Sequence, residues 1–403
     1  MKERGGSSMI SQKFKDMLNQ KSVIRQMNVE ADARAKEIGA DKVFNYSLGN
    51  PSVPAPAKFN QVLKHIIDTK DPLSLHGYSE NHGIYEVREA VAASLKRRFG
   101  LAYTADHIFM ASGAAGAIAH AARAVSAPGD EIITFAPFFP EYIPYINETG
   151  AVLKVVPADT EGFQINFDEF VKLISPKTSA VLINTPNNPT GVVYSKETIQ
   201  RLAELLREKE QEYGHEIFII SDEPYREIVF HGVDAPVISQ YYDNTIVCYS
   251  FSKSLSIPGE RIGYVAVSPK AKEAETIIHM CTQISRGIGH NCPASLIQLA
   301  VAELLDETSD LSVYETNRNI LYDELTGLGF SCVKPEGTFY IFPKALEDDA
   351  KAFCKRAWEY NLALVPSDSF GCPGYFRIAY CVETDMVKRS LPAFRALAES
   401  YKK

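Results

Sequence analysis

Ala180-Val181-Leu182-Ile183-Asn184-Thr185-Pro186-Asn187-Asn188-Pro189-Thr190-Gly191 joins a run of apolar residues to a constrained polar loop. A run that is apolar at every position, rather than at every second one, suits a strand covered on both faces, as in the parallel sheets of α/β proteins. Two prolines and a glycine narrow the path of the loop. Asn188 can therefore be aimed at a ligand without a large ordering cost on binding. Taken alone, the loop also reads as a plain turn.

The same rhythm extends in both directions. Strands are expected at 43–48, 107–110, 131–135, 152–156, 217–221 and 245–250, with helices at 83–99, 114–125, 167–174 and 196–209. That alternation specifies an α/β sheet. Residues 1–10 are polar and rich in Gly and Ser, which suits a mobile arm, and 14–38 has helical spacing. After about Pro293 the texture changes to a pair of helices (294–306 and 309–328) followed by shorter elements. We expect an N-terminal arm and part of a small domain over 1–48, a large domain over 49–292 and a small C-terminal domain over 293–403. A chain of 403 residues is long enough for one large and one smaller core.

Composition narrows the function classes. Apolar residues make up 45% and charged residues 23%, the balance of a folded globular protein. The 42 basic and 50 acidic residues give a net charge of −8, with one short basic run, Lys96-Arg97-Arg98, at an expected helix end. Nucleic acid or an anionic membrane as main partner would need a concentrated positive face. Seven scattered cysteines form neither a disulfide framework nor a zinc ribbon, and reduced thiols suit a cytoplasmic protein. The start, MKERGGSSMI, lacks the apolar stretch of a signal peptide, and no run approaches the about 18 apolar residues of a membrane span.

In open α/β sheets, ligands bind beyond the carboxyl ends of the strands. Four polar clusters are expected there: Ser112-Gly113, residues 184–191, 222–225 and 250–253. In Ser250-Phe251-Ser252-Lys253, a lysine following an apolar strand is desolvated, which lowers its pKa and frees its amine for imine formation with a carbonyl compound. Arg261 and the two serine hydroxyls can hold a phosphate beside it. Asp222, after the strand Ile217-Phe218-Ile219-Ile220, is a buried carboxylate that needs a partner, and a protonated pyridine nitrogen suits it; Tyr225 could donate to the ring phenolate. Ser112-Gly113-Ala114-Ala115-Gly116 opens a helix with small residues and exposes backbone amides to an anion. Each cluster also has an ordinary reading: a surface lysine, a turn-capping aspartate, close helix packing.

Together these segments, from Gly49 to Arg377, resemble the class I/II aminotransferases, the fold-type-I pyridoxal-phosphate family of aspartate aminotransferase. The resemblance implies a large domain with a mostly parallel seven-stranded sheet flanked by helices, and a smaller α+β domain. It implies pyridoxal 5'-phosphate as cofactor, an amino acid and a 2-oxo acid as substrates, and a homodimer with shared active sites. By the same likeness Lys253 carries the coenzyme and acts as acid and base, Asp222 partners the pyridinium, and Asn188 and Tyr225 bind the ring hydroxyl. Ser250, Ser252, Arg261 and the amides of Gly113, Ala114 and Ala115 would hold the phosphate, and Phe139 would stack on the ring where many aspartate-type members have Trp. Tyr78 would reach the neighbouring subunit's phosphate, while Arg377, with the Gly49 backbone, would hold the substrate α-carboxylate. Arg286, five residues before Asn291, matches the partner-subunit arginine that binds a distal carboxylate, and so points to aspartate, glutamate or a related dicarboxylate. An aromatic- or alanine-type aminotransferase and a cysteine-conjugate β-lyase share these cofactor residues. A regulator fused to a DNA-binding domain is not expected, since only a short arm precedes Gly49 in this sequence, and neither is a dinucleotide-binding dehydrogenase, since no Gly-x-Gly-x-x-Gly follows the first strand here.

Overall fold

Apolar strands covered on both faces form the central sheet of the computed structural model, which describes residues 10–18 and 22–402. Nearly all of the arm expected over 1–10 lies outside the described residues. Strands are numbered along the chain. β1 (Phe44–Asn45) belongs to a peripheral pair; the central sheet comprises β2 (Ile108–Ala111), β3 (Glu131–Phe135), β4 (Val152–Val156), β5 (Thr178–Asn184), β6 (Phe218–Asp222), β7 (Thr245–Ser250) and β8 (Gly263–Val267). Their spatial order is β2-β8-β7-β6-β5-β3-β4. All neighbours are parallel except β8, which runs antiparallel to both β2 and β7.

The sequence reading did not include β8. The connection from β7 to β8 holds only a four-residue helix (Phe251–Ser254) and a short 3-10 turn (Pro258–Glu260). The link has no full helix of the kind that usually carries a parallel crossover, and the chain comes back antiparallel. Two antiparallel pairings in series leave β2 pointing the same way as β7. Ser112, after β2, therefore emerges at the same edge as Asn184, Asp222 and Ser250.

Alternate residues of β5 enter opposite cores. Ala180 and Leu182 join a cluster with Ala117 and Ala121 of the helix Gly113–Ala124 and Ile277 and Ile278 of the helix Ala274–Ile288. Val181 and Ile183 join Phe170, Ile199, Leu202 and Leu206 from the helices Phe167–Leu173 and Lys196–Tyr213 on the other face. The region read as one helix over 14–38 contains two, Gln12–Met17 and Val23–Ile38.

A second core gathers Tyr46, Tyr314, Leu321, Phe339, Phe353, Phe376 and Phe394. Here β9 (Tyr340–Ile341), β11 (Val365–Pro366) and β12 (Phe376–Ala379) form an antiparallel sheet in the order β11-β12-β9, while β10 (Leu362–Ala363) pairs with β1. Tyr225 and Ile228, which follow β6, also pack into this cluster, so the edge of the large sheet and the small sheet share one apolar seam. The helix Ser295–Ala302 buries Ala300 and Val301 with Val247 and Tyr249 of the central sheet. We propose to count that helix with the large domain and to draw the boundary after it. Among the described residues, no helix is long and apolar enough to cross a membrane. All seven cysteines are free.

Candidate active site

The carboxyl edge of the central sheet opens into a cavity of about 520 Å³ lined by residues from both cores. Of the residues singled out from sequence, Gly49, Ala114, Ala115, Phe139, Asn188, Asp222, Tyr225, Ser250, Ser252, Lys253, Arg261 and Arg377 line it. Gly113 adjoins two of them, Arg261 and Ser250. Tyr78 is fully exposed and Arg286 is exposed in the last turn of its helix; neither reaches the cavity from within the chain.

Lys253 follows β7 in the short helix Phe251–Ser254, and its amine donates to the Gly49 carbonyl at 2.7 Å. Desolvation, with Arg261 and Arg377 nearby, brings its pKa from 10.5 down to about 8, against a weaker opposing effect from Cys381. Asp222 ends β6 and is 4% exposed. Tyr142 donates to its Oδ2 at 2.5 Å, whereas Oδ1 has no hydrogen-bond partner. Burial raises this carboxyl to about 7; the Tyr142 bond opposes the rise and Glu223 adds to it.

Asn184 organises the loop after β5. Its Nδ2 donates to the Asp222 carbonyl at 2.8 Å, and its Oδ1 accepts the Asn188 backbone amide at 2.7 Å. Asn188 thus faces Arg377, whose Nη1 donates to Asn188 Oδ1 at 3.0 Å. Arg377 is 1% exposed, sends Nη2 to the Ser47 carbonyl at 2.5 Å, and leaves Nε unpartnered. A buried guanidinium with an open donor is a ready carboxylate site.

The opposite end is built for an anion. The helix Gly113–Ala124 starts there, and the Ser112 side chain makes no cap bond, so its first amides are available. Gly113 has φ +71°, and a Cβ there would stand 3.2 Å from Arg261 Nη2, so the position needs glycine. Ser250 Oγ donates to Ser252 Oγ at 2.7 Å beside it.

These features fit pyridoxal 5'-phosphate on the structure's own terms. The orphaned Asp222 Oδ1 suits a protonated ring nitrogen, the uncapped helix start with Arg261 suits a phosphate, and the desolvated lysine lines the same cavity. A sequence profile described as "Aminotransferase class I and II" matches residues 41–394. The chain belongs to the class I/II aminotransferases. Pyridoxal phosphate is this aminotransferase's cofactor. It is similar to an aspartate aminotransferase of Thermotoga maritima, 31% identical over 375 residues that cover 92% of the chain and 95% of the relative. It is also similar to an aromatic-amino-acid aminotransferase of Thermococcus litoralis, 30% identical over 370 residues, covering 88% and 91%. Among solved structures, an aminotransferase of Eubacterium rectale superposes with a TM-score of 0.95 at 45% identity, covering 98% of this chain and 100% of the other.

Several residues that line this aminotransferase's cavity or bond to its lining escaped the sequence reading. Tyr142 sits three residues beyond Phe139 in Phe138-Phe139-Pro140-Glu141-Tyr142, a proximity that is the only sequence signal for it. Tyr340 comes from β9 of the small sheet, and Ile24 and Arg25 from the start of the helix Val23–Ile38. No local pattern marks these three as neighbours of Lys253.

Proposed function

We propose that this aminotransferase takes its amino group from aspartate or a related dicarboxylic amino acid and works as a homodimer with shared sites. The observation that carries the substrate reading is Arg25. Three arginines line the cavity, and Arg25 alone among them has no hydrogen-bond or ion-pair partner among the described residues. With Arg261 assigned to the phosphate and Arg377 to the α-carboxylate, a further anionic group on the substrate is the natural partner for the third. Arg286 would add a second cation only if a partner subunit brought it to the cavity, and Tyr78 would reach a neighbour's phosphate the same way.

Bound pyridoxal phosphate supplies an electron sink for the pair left at the substrate α-carbon when its proton is removed. Lys253, whose amine is already partly unprotonated near pH 8, takes and returns that proton, and the Gly49 carbonyl orients it. Tyr142 holds Asp222 Oδ2 and leaves Oδ1 open, so Oδ1 would pair with the ring nitrogen. Asn188 and Tyr225 would hold the ring hydroxyl, and Phe139 would cover the ring; all three line the cavity. Ser250, Ser252, Arg261 and the amides of Gly113, Ala114 and Ala115 would retain the phosphate, and Arg377 with Gly49 would orient the α-carboxylate. Transfer is ping-pong, with the first oxo acid leaving before the second binds.

Following the coenzyme absorbance of purified protein above about 320 nm during titration tests this reading. Aspartate should bleach the band and 2-oxoglutarate restore it. Arg25→Gln should raise KM for aspartate about tenfold and leave that for alanine unchanged, the loss of one exposed charge-assisted hydrogen bond. A band that ignores aspartate but responds to an aromatic amino acid would overturn the dicarboxylate reading, and pyruvate with ammonia as products would indicate β-elimination instead.

A further inference from the structure

Tyr340 is 3% exposed and touches three groups of the site at once. Its hydroxyl lies 3.1 Å from that of Tyr225. Its ring lies under the Arg377 guanidinium, with Cζ 4.5 Å from the centroid. It also packs against the Gly49 backbone so closely that a Cβ at Gly49 would stand 1.9 Å from the Tyr340 oxygen. Gly49 is the residue whose carbonyl receives the Lys253 amine.

We propose that Tyr340 is a positioning residue for transamination: its hydroxyl donates to the Tyr225 oxygen, and its ring supports the guanidinium of Arg377. The inference rests on the reading that Tyr225 faces the coenzyme ring hydroxyl and Arg377 the α-carboxylate.

The direction of the hydrogen bond follows from counting protons. A phenol has one O–H to give. Two phenol oxygens at 3.1 Å share a single hydrogen. If Tyr225 gives its own to the coenzyme, the shared one comes from Tyr340. Burial pushes both phenols upward, Tyr225 well above the ordinary value and Tyr340 to about 12, so both stay protonated near neutral pH. A donor behind a donor polarises it: the Tyr340 bond strengthens the one Tyr225 makes. The ring acts separately. Arg377 spends Nη1 and Nη2 on Asn188 and Ser47, and the aromatic faces of Tyr340 and Phe370 hold its charge from the sides. Because Tyr340 belongs to β9, next to Ala379 of β12 in register, one side chain of the small sheet contacts both ends of the chemistry.

Tyr340→Phe keeps the ring and removes only the donor. Spectrophotometric pH titration of the coenzyme-loaded protein should show the midpoint of the absorbance change rising by a few tenths of a pH unit, because a weaker Tyr225 bond stabilises the ionised ring oxygen less. KM for the amino acid should stay within twofold. In a Tyr225→Phe background the same substitution should move the midpoint no further, since Tyr340 acts through Tyr225. Tyr340→Leu, which removes the ring, should raise KM about tenfold. An unchanged midpoint in Tyr340→Phe, or an equal shift in the Tyr225→Phe background, would overturn the hydroxyl's role, and an unchanged KM in Tyr340→Leu would overturn the ring's. The midpoint is measured without substrate, so it stands apart from the dicarboxylate reading; KM is taken with whichever amino acid the wild type accepts.

Discussion

Asp222 should tie the stability of the coenzyme-free chain to pH. In the folded protein this carboxyl has one oxygen bonded to Tyr142 and one without a partner, and burial raises its pKa from 3.8 to about 7. Unfolded, it ionises at the ordinary value. Between those two values the folded state keeps a proton that the unfolded state has released, so stability falls as pH rises through that window and levels off above it. A gap of about three pH units at about 1.4 kcal/mol each amounts to about 4 kcal/mol. Lys253 works in the other direction at higher pH. Its folded pKa of about 8 lies below the ordinary 10.5, so stability recovers, by about 3 kcal/mol, as pH climbs from 8 through 10.5. The coenzyme-free chain is therefore least stable between about pH 7 and 8. Thermal or urea unfolding of coenzyme-free wild type and Asp222→Asn from pH 4.5 to 8 measures the effect. The amide cannot ionise, so the difference between the two proteins should change by most of that 4 kcal/mol across the range. Pyridoxal phosphate, by giving the carboxylate a cationic partner, should remove the decline in wild type. Parallel curves for the two proteins would refute the reasoning, because they would mean that Asp222 carries no buried ionisation cost.

Lys253→Ala should retain the coenzyme by absorbance yet lose roughly 10³-fold or more in turnover, the scale of a missing general acid–base group; wild-type turnover would remove Lys253 from the chemistry. Gly113→Ala should weaken coenzyme retention about tenfold on dialysis. A Cβ at φ +71° costs roughly 1–2 kcal/mol and crowds Arg261 Nη2 at 3.2 Å, whereas the same change at exposed Gly214, with nothing within 4 Å, should leave retention unchanged.

Much of the central sheet was legible because its strands are short apolar runs that end in polar residues. Expected spans 131–135, 152–156 and 245–250 coincide with β3, β4 and β7. β8 was not, since its antiparallel course goes with a preceding link that has no full helix rather than with its own pattern. The helices Ala57–Thr69 and Ala274–Ile288 were also unread. Their amphipathic faces acquire meaning only from the cores they cover, Phe59 and Ile66 in one case and Ile277 and Ile278 in the other. The site divides in the same way. Residues at strand ends, Asn188, Asp222, Ser250 and Lys253, announce themselves by following apolar runs. Tyr142 and Asn184 act through hydrogen bonds to groups that sequence had already singled out, and a hydrogen bond leaves no trace in spacing.

The sequence by itself determined the α/β class, the family and the residues at the strand ends, because strand periodicity and the order of Asn-Pro-Thr-Gly, Asp-x-x-Tyr and Ser-x-x-Lys are local properties of the chain. Tertiary structure alone decided which oxygen of Asp222 stays open, that Gly49 receives the Lys253 amine across 204 positions, and that Tyr340 and Arg25 share a cavity with both. Those contacts depend on how two cores are set against each other, and burial and distance in three dimensions have no counterpart along a single chain.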